Sequence, residues 1–312
     1  MFKLPKDLII KIGLNLESSD LINLSGVNKY INSILCQNDI FWANRLKQDF
    51  GDYSKPSWKE LYHKIKNTNQ KTLLKEGVEL NNLELIKIAA DKIKKSGDYS
   101  ILNIGLTNAC DKGNLKVVKY LVEQGADVNT SADYPLIQAS TNGQLQVVKY
   151  LVGQGADVRA NENQSLRWSS QNGHIEVVKY LVSKGANVRA QNDYALRWAS
   201  ENGHIKVAKY LVEQGANIRA QDNYALSLAS ENGHLEVVKY LVEQGANVRA
   251  QNDYALRWAS HNGHLEVVKY LVEHGADILS NEEESYRFAN RNGHTELAKF
   301  LWETAAELIN KN

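Results

Sequence analysis

Residues 192–216 read NDYALRWASENGHIKVAKYLVEQGA, and the fold can be predicted from them because close copies recur along most of the chain. Each copy carries a glycine at the same point, 30 positions after the one before: Gly113, Gly143, Gly173, Gly203, Gly233, Gly263 and Gly293. A fixed period of this length is typical of a solenoid, in which each unit packs on its neighbours. The pattern predicts a long open surface rather than an enclosed enzyme pocket.

Each copy predicts two short helices. In residues 192–216 the first helix is expected from about Tyr194 to Asn202 and the second from about Ile205 to Gln214. Gly203 between them and Gly215 after them stand at turns, where a positive φ costs glycine little. The rest of each copy is a short polar connection.

Apolar residues recur at helical spacing along the second helix. They are Ile205, Ala208, Leu211 and Val212. A lone unit of this size cannot bury enough apolar surface to fold, so stacked copies are expected to bury two continuous stripes of leucine. These leucines are Leu106, Leu136, Leu166, Leu196, Leu226 and Leu256 in the first helices, and Leu121, Leu151, Leu181, Leu211, Leu241, Leu271 and Leu301 in the second.

The run NGHLEVVKYLVEQGANV, residues 232–248, resembles the second helix and exit of the ankyrin repeat. The first helix departs from that family: residues 194–197 read YALR where the family has Thr-Pro-Leu-His, although Pro135-Leu136 keeps part of it. The family period is about 33 residues, so three residues are missing between Gly215 and Leu226, in the family's β-hairpin finger. We expect blunted fingers and a shallower groove. Shortened repeats of this kind resemble those of giant DNA viruses of amoebae.

The array is expected to end irregularly, as solenoids do. Residues 72–97 are interpreted as a degenerate opening repeat and residues 98–312 as the array proper. At the C-terminal end LWETAAE, residues 301–307, replaces the Gly-Ala exit. Its polar tail predicts a capping helix that faces water.

Residues 1–50 contain no copy of the unit but three or four amphipathic helix signals. The arrangement of Leu4-Pro5, Leu8-Ile9, Asp20-Leu21 and Phe41-Trp42 resembles the F-box over residues 3–48. The family's Val-Cys-Lys/Arg-x-Trp segment is here VNKYI, a mild departure. Residues 51–71 are predicted to form a helical linker.

F-boxes dock on the Skp-type adaptor of cullin–RING ubiquitin ligases, so the resemblance implies such an adaptor as a partner. It also implies which apolar residues would pack on the adaptor: Leu4, Pro5, Leu8, Ile9, Ile12, Leu16, Leu21 and Leu24. The alternative is an N-terminal helical cap on the solenoid. Because a module of this size cannot bury so many large apolar residues by itself, the sequence favours the adaptor.

The composition and charge of the chain exclude several classes of protein. Lys+Arg 37 against Asp+Glu 36 gives a formal net charge of +1, so no overall field would hold the chain on nucleic acid or an anionic membrane. Cys36 and Cys110 are the two cysteines, too few for a disulfide framework or a structural zinc site. No segment predicts a signal peptide or a membrane span. We expect a cytoplasmic protein, in a host's cytoplasm if it is viral, and the sequence leaves the nucleus open.

Three periodic sets could suggest chemistry, and for each a structural role is favoured. The turn histidines have no carboxylate or thiol groups beside them, which a row of metal sites would need, and they are expected to hydrogen-bond to backbone. Tryptophan, leucine and phenylalanine exchange at one position, which indicates packing between repeats rather than a stacking platform for ligands. The arginines are expected to be solvated or hydrogen-bonded rather than a nucleic-acid face. The sets are His174, His204, His234, His264 and His294; Trp168, Trp198, Leu228, Trp258 and Phe288; and Arg159, Arg189, Arg219 and Arg249 with Arg167, Arg197, Arg257 and Arg287.

Positions that vary between copies are free to recognise a partner. The residue before the turn asparagine changes charge along the array, and in ankyrin proteins this place lines the concave face, as do the finger segments. The candidate target-binding residues are Thr141, Gln171, Glu201, Glu231, His261 and Arg291.

No catalytic constellation, metal site or cofactor-binding motif is apparent. The sequence therefore predicts an all-α, non-enzymatic adaptor: a short F-box-like domain followed by an ankyrin solenoid. Its expected role is substrate receptor of a cullin–RING ubiquitin ligase, with an unidentified target held on the array. The alternative is an ankyrin scaffold or decoy that sequesters a protein without a ligase role.

Overall fold

The computed structural model describes residues 68–311. The predicted F-box-like domain, its eight adaptor-facing residues and most of the predicted linker lie outside the described residues. Within the described part every regular element is an α-helix, which confirms the all-α prediction there. The helices are α1 (Gln70–Glu79), α2 (Leu83–Ser96), α3 (Ser100–Asp111), α4 (Leu115–Glu123), α5 (Thr130–Thr141), α6 (Leu145–Gly153), α7 (Ala160–Gln171), α8 (Ile175–Ser183), α9 (Ala190–Glu201), α10 (Ile205–Glu213), α11 (Ala220–Glu231), α12 (Leu235–Glu243), α13 (Ala250–His261), α14 (Leu265–Glu273), α15 (Ser280–Arg291) and α16 (Thr295–Lys311).

The described residues fall into two compact units. The first holds residues 68–105 and 123–126, and in it α1 packs against α2. Helix α1 begins where the side chain of Asn69 accepts a hydrogen bond from the N–H of Thr72, at 2.8 Å, which satisfies a free N–H of the first turn. Helices α1 and α2 occupy nearly the same residues as the predicted opening repeat, and their assignment as a repeat stays a prediction.

The second unit holds residues 106–122 and 127–311. Its first helices α5, α7, α9, α11, α13 and α15 pack in series, each on the next, and the second helices α6, α8, α10, α12 and α14 do the same. Each copy therefore packs on its neighbours, as a solenoid requires.

The predicted leucine stripes form the core of this stack. Every leucine of the two stripes is at most 1% exposed. The second-helix face differs slightly from the prediction: Ala208 and Leu211 are buried, whereas Ile205 and Val212 are only half-buried. Val207, which was not assigned to the face, is 1% exposed. The buried arc is wider than a single stripe because the helix contacts both its own first helix and the next copy.

The glycine turns are confirmed, with φ of 72° at Gly203 and 91° at Gly215. The right-handed part of α9 begins at Tyr194, as predicted, because the three preceding residues are left-handed. Gln191, Asn192 and Asp193 have φ of 54°, 55° and 59°.

This left-handed turn replaces the finger. No strand occurs among residues 68–311, so the segment expected to be a blunted hairpin is shortened further, to a single turn. The equivalent turns in other copies lie at residues 131–133, 161–163, 221–223 and 251–253.

Helix α16 ends the array. It has 17 residues where the other second helices of the array have nine, because no glycine stops it at Ala305, where Gly275 ends α14. The predicted polar surface is only partly present: Trp302 is 58% exposed and Ile309 60% exposed.

Candidate functional site

The six candidate target-binding residues lie at equivalent points, the last residue of each first helix. Five are half-buried, and Arg291 is exposed. Two are engaged locally: the hydroxyl of Thr141 donates to the carbonyl oxygen of Ile137 at 2.8 Å, and the ring of His261 packs 5.1 Å from that of Trp258. Their role in binding a target stays a prediction.

The turn histidines fix the register of these residues, and their predicted hydrogen bonds to backbone are confirmed. Nε2 of His174 donates to the carbonyl oxygen of Thr141 at 2.9 Å, and Nε2 of His264 donates to that of Glu231 at 2.9 Å. The turn glycine is needed beside the ring, because a Cβ on Gly173 would lie 2.6 Å from Nδ1 of His204. Among residues 68–311 no group of three or more histidine, cysteine or acidic side chains could hold a metal ion.

Burial lowers the pKa of His204, and the neighbouring His174 and His234 lower it further, against a backbone hydrogen bond with Gln171 that raises it. The neutral ring is therefore favoured in the folded chain.

The tryptophan position packs between copies, as predicted. The rings of Trp168 and Trp198 meet edge to face with centroids 5.6 Å apart, and those of Trp258 and Phe288 are 6.4 Å apart. All four are half-buried, so part of each ring remains accessible. These aromatic rings therefore pack between neighbouring copies and also form part of the accessible surface.

Tyrosines extend this surface, and the sequence reasoning missed them. The ring of Tyr194 stacks on that of Trp198, with centroids 4.8 Å apart. The guanidinium carbons of Arg167 and Arg197 lie 4.9 Å and 5.0 Å from the centroid of Tyr194, within cation–π range. The signal was available as a tyrosine one helical turn before the tryptophan position, also at period 30. We call Arg167, Trp168, Tyr194, Arg197, Trp198, Tyr224, Tyr254, Arg257 and Trp258 the aromatic–arginine ladder.

The first-helix arginines of the ladder also hold the left-handed turns. Arg197 donates to the carbonyl oxygens of Gln191 at 2.9 Å and Asn192 at 3.1 Å, and Arg257 does the same in its own copy. The two hydrogen bonds of Arg197 fix its guanidinium in place. Burial lowers the pKa of Arg197, while Tyr194 among its neighbours acts in the opposite direction.

The exit arginines are bonded as well. Arg159 donates to the carbonyl oxygen of Gly185 at 2.7 Å, and Arg219 to that of Gly245 at 3.1 Å. These bonds confirm the expected hydrogen bonding for Arg159 and Arg219.

The finger segments are predicted to contact a partner, and one residue of each is withdrawn from the surface. The third residue of each left-handed turn is buried, with Asp133 and Asn163 each 7% exposed. The two residues before it, such as Ser131 and Ala132, are exposed, and their contact with a partner stays a prediction. Oδ1 of Asp133 accepts from the N–H of Asp157 at 2.9 Å, and Oδ1 of Asn163 from that of Asn187 at 2.6 Å. These side chains join one copy to the next and are not available to a target.

The ladder is interrupted in the copy that contains α11. Ser227 stands there at the arginine position and Leu228 at the tryptophan position, and both are buried. Tyr224 remains in this copy, and the guanidinium carbon of Arg197 lies 5.9 Å from the centroid of its ring. The ladder is therefore narrowed to a single tyrosine at this point.

Comparisons with known proteins agree with this geometry. A family model described as ankyrin repeats (3 copies) matches residues 78–162, 106–192, 136–222 and 196–282. The crystal structure of the human ASB11 ankyrin repeat domain is similar, with a TM-score of 0.52 and 24% sequence identity, over 58% of this chain and 95% of that one. This similarity concerns the fold alone. No curated protein matches the chain.

A search for membrane spans found none: none of the helices within residues 68–311 has both the length and the apolar character to cross a bilayer.

Proposed function

The chain belongs to the ankyrin-repeat family, and on that premise we propose that it is the target-binding subunit of a cullin–RING ubiquitin ligase. In this proposal the first-helix face holds a target protein, and residues 1–50 dock on a Skp-type adaptor. The chain itself performs no chemistry. Tethering raises the local concentration of the target near the transferring enzyme.

The observation that carries the binding role is the aromatic–arginine ladder. Tyrosine, tryptophan and arginine are the residues that most often dominate the energy of protein interfaces. Here they are half-buried and held by their neighbours, since Arg167 and Arg197 flank the ring of Tyr194. Ordered side chains lose little conformational freedom on binding, which favours affinity.

Charge along the same face supports selection of one partner in one register. Glu201 and Glu231 end successive first helices, and Arg291 ends the last one. A partner with the opposite order of charges is favoured, and like charges placed opposite one another are penalised.

The ligase role depends on the F-box resemblance of residues 1–50, with Leu4 and Leu8 among the adaptor-facing residues. The competing proposal is a scaffold or decoy that binds a protein through the ladder and recruits no ligase. The two differ in whether the adaptor is bound.

The decisive experiment is affinity purification of the full chain from cells, read by mass spectrometry. Leu4→Asp with Leu8→Asp should remove the adaptor and retain the target. Charge reversal of Glu201→Lys, Glu231→Lys and Arg291→Glu together should remove the target and retain the adaptor.

A matched control reverses three exposed charges on the second helices: Glu213→Lys, Glu243→Lys and Lys206→Glu. We call the variant that combines Glu201→Lys, Glu231→Lys and Arg291→Glu the ladder-side variant. The control changes the net charge by the same amount, so a general effect of charge on binding would appear in both. If the ladder-side variant keeps every partner, the binding face is wrong. If the unmodified chain recovers no adaptor, the scaffold or decoy role replaces the ligase role.

A further inference from the structure

Helix α16 carries an exposed apolar stripe that its own copy does not cover. Trp302, Ala305, Ala306 and Ile309 stand at positions i, i+3, i+4 and i+7, which lie on one face of a helix. Trp302 is 58% exposed and Ile309 60% exposed. Exposed apolar residues scattered singly over a surface are ordinary, but several on one helix face form a patch that needs an explanation. We call these four residues the α16 stripe.

The stripe borders a shallow apolar groove. Its other wall includes Ile278 and Tyr286 from the last copy, and the rings of Tyr286 and Trp302 are 5.4 Å apart. Glu283 is the one acidic residue in the lining of this groove. The groove is therefore suited to another helix with an apolar face.

The order of residues in the stripe indicates which helix fits. When two copies of α16 run antiparallel about the point between Ala305 and Ala306, Trp302 of one chain lies opposite Ile309 of the other. Ala305 then lies opposite Ala306, where small side chains allow the helices to approach. A twofold interface needs this self-complementarity, because the same patch serves both partners.

We propose that two copies of this chain associate through the α16 stripe, with the two α16 helices antiparallel. The stripe covers about two turns of helix, less than the roughly 800 Å² per partner of a standard interface. The dimer is therefore expected to dissociate in the micromolar range and to be visible only by concentration-dependent methods.

The test is sedimentation velocity of the full chain from about 1 to 200 µM, a range that brackets a micromolar dissociation constant. The unmodified chain should shift from monomer to dimer. Trp302→Lys alone and Ile309→Glu alone should each weaken the dimer by about tenfold or more, since each places a charge against an apolar residue twice per dimer. Leu308→Glu, about 110° around the helix from the stripe centre, is the control that should leave the dimer intact.

A mixture tests the register. When Trp302→Lys and Ile309→Glu chains are mixed, one end of the antiparallel pair brings Lys against Glu and the other keeps Trp302 against Ile309. The mixed dimer should therefore be more stable than either homodimer, which native mass spectrometry can measure. A parallel pair would give no such rescue.

Three outcomes would overturn the proposal: a monomer at every concentration, a dimer indifferent to both single substitutions, or no preference for the mixed dimer. Circular dichroism and thermal melting check that the variants fold, and both side chains are exposed enough that folding should be retained.

Discussion

Oδ1 of Asp193 accepts a hydrogen bond from the backbone N–H of Asn217, at 2.6 Å, and so joins one copy of the repeat to the next. The donor lies 24 residues further along the chain. The same bond recurs in two later copies: Oδ1 of Asn223 accepts from the N–H of Asn247 at 2.8 Å, and Oδ1 of Asp253 accepts from the N–H of Asp277 at 2.7 Å. The acceptor is aspartate or asparagine in each case, and these side chains tolerate the left-handed conformation.

We predict that Asp193→Asn is as stable as the unmodified chain or more so at pH 7, whereas Asp193→Ala loses about 1–3 kcal/mol. Asparagine keeps the acceptor oxygen, and the chain itself uses it at Asn163 and Asn223. Burial raises the pKa of Asp193, against the hydrogen bond from Asn217 that lowers it, so removing the charge removes an unfavourable desolvation. Urea unfolding followed by circular dichroism measures both variants.

The sign of the pH effect provides a control. Because its folded pKa is raised, the charged form of Asp193 opposes folding above that pKa. Any gain in Asp193→Asn should therefore shrink as the pH falls toward 3.8, the unfolded value. An alanine variant as stable as the unmodified chain would show that the bond contributes nothing.

We predict that His204→Gln reduces the loss of stability in mild acid. The folded pKa of His204 lies below 6.5, so the unfolded chain binds a proton more readily than the folded one. Stability is therefore complete above pH 6.5 and falls as the pH drops through the window between 6.5 and the lowered folded pKa. Glutamine is the matched replacement because Gln144 occupies the same position in another copy.

The measurement is the free energy of unfolding at pH 7.5 and at pH 5.5, for both chains. The difference between the two pH values should be smaller in His204→Gln. Equal differences would mean that His204 does not contribute to the acid sensitivity.

We predict that Ser200→Ala stabilises the chain by about 1 kcal/mol, from removing an unsatisfied hydroxyl and raising helix propensity. Ser200 is fully buried, and its Oγ has no hydrogen-bond partner within residues 68–311. Five other serines in the described residues share this state: Ser140, Ser170, Ser230, Ser260 and Ser285.

The control is Ser183→Ala, because the Ser183 hydroxyl donates to the carbonyl oxygen of Tyr180 at 2.6 Å on the surface. That variant should show no comparable gain in thermal or urea unfolding. A marked loss of stability in Ser200→Ala would contradict the prediction and assign the buried hydroxyl a partner.

We predict that Arg197→Met destabilises the chain by about 1–2 kcal/mol, because two hydrogen bonds to the left-handed turn are lost. The aliphatic part of the side chain is retained, so packing changes little. Arg291→Met, on an exposed residue at the end of α15, should change the urea midpoint by almost nothing. Equal midpoints for the two variants would remove the role of Arg197 in holding the turn.

Much of the fold follows from local spacing. The glycine period placed the turns, and apolar spacing placed the buried Leu196 and Leu211 in their two helices. The prediction that His174 is a turn residue hydrogen-bonded to backbone is confirmed by its bond to the carbonyl oxygen of Thr141.

The left-handed turn could not be predicted in this way. Three consecutive non-glycine residues in that conformation, each disfavoured by roughly 1–2 kcal/mol, leave no local signal at residues 191–193. Their stabilising partners are Arg197, in the following turns of helix, and the N–H of Asn217, in the next copy.

The candidate surface was predicted in part. The ends of the first helices were chosen because they vary, and the ladder was missed because Trp198 was assigned to packing alone. Spacing tells that a ring faces its neighbour but not what fraction of the ring stays uncovered. The apolar stripe on α16 was missed for a similar reason, since Trp302 and Ile309 are separated by polar residues.

The hydrogen bond that the N–H of Asn217 donates to Asp193 has a counterpart in the bond that Nε2 of His264 donates to the carbonyl oxygen of Glu231, and in both the donor lies in the later copy. Neither reaches past the adjoining copy. If a block of 30 consecutive residues were deleted or inserted, these donors would still meet an equivalent acceptor in the adjacent copy. The number of repeats, and with it the length of the binding surface, can therefore change in evolution while the interface between neighbouring repeats stays the same.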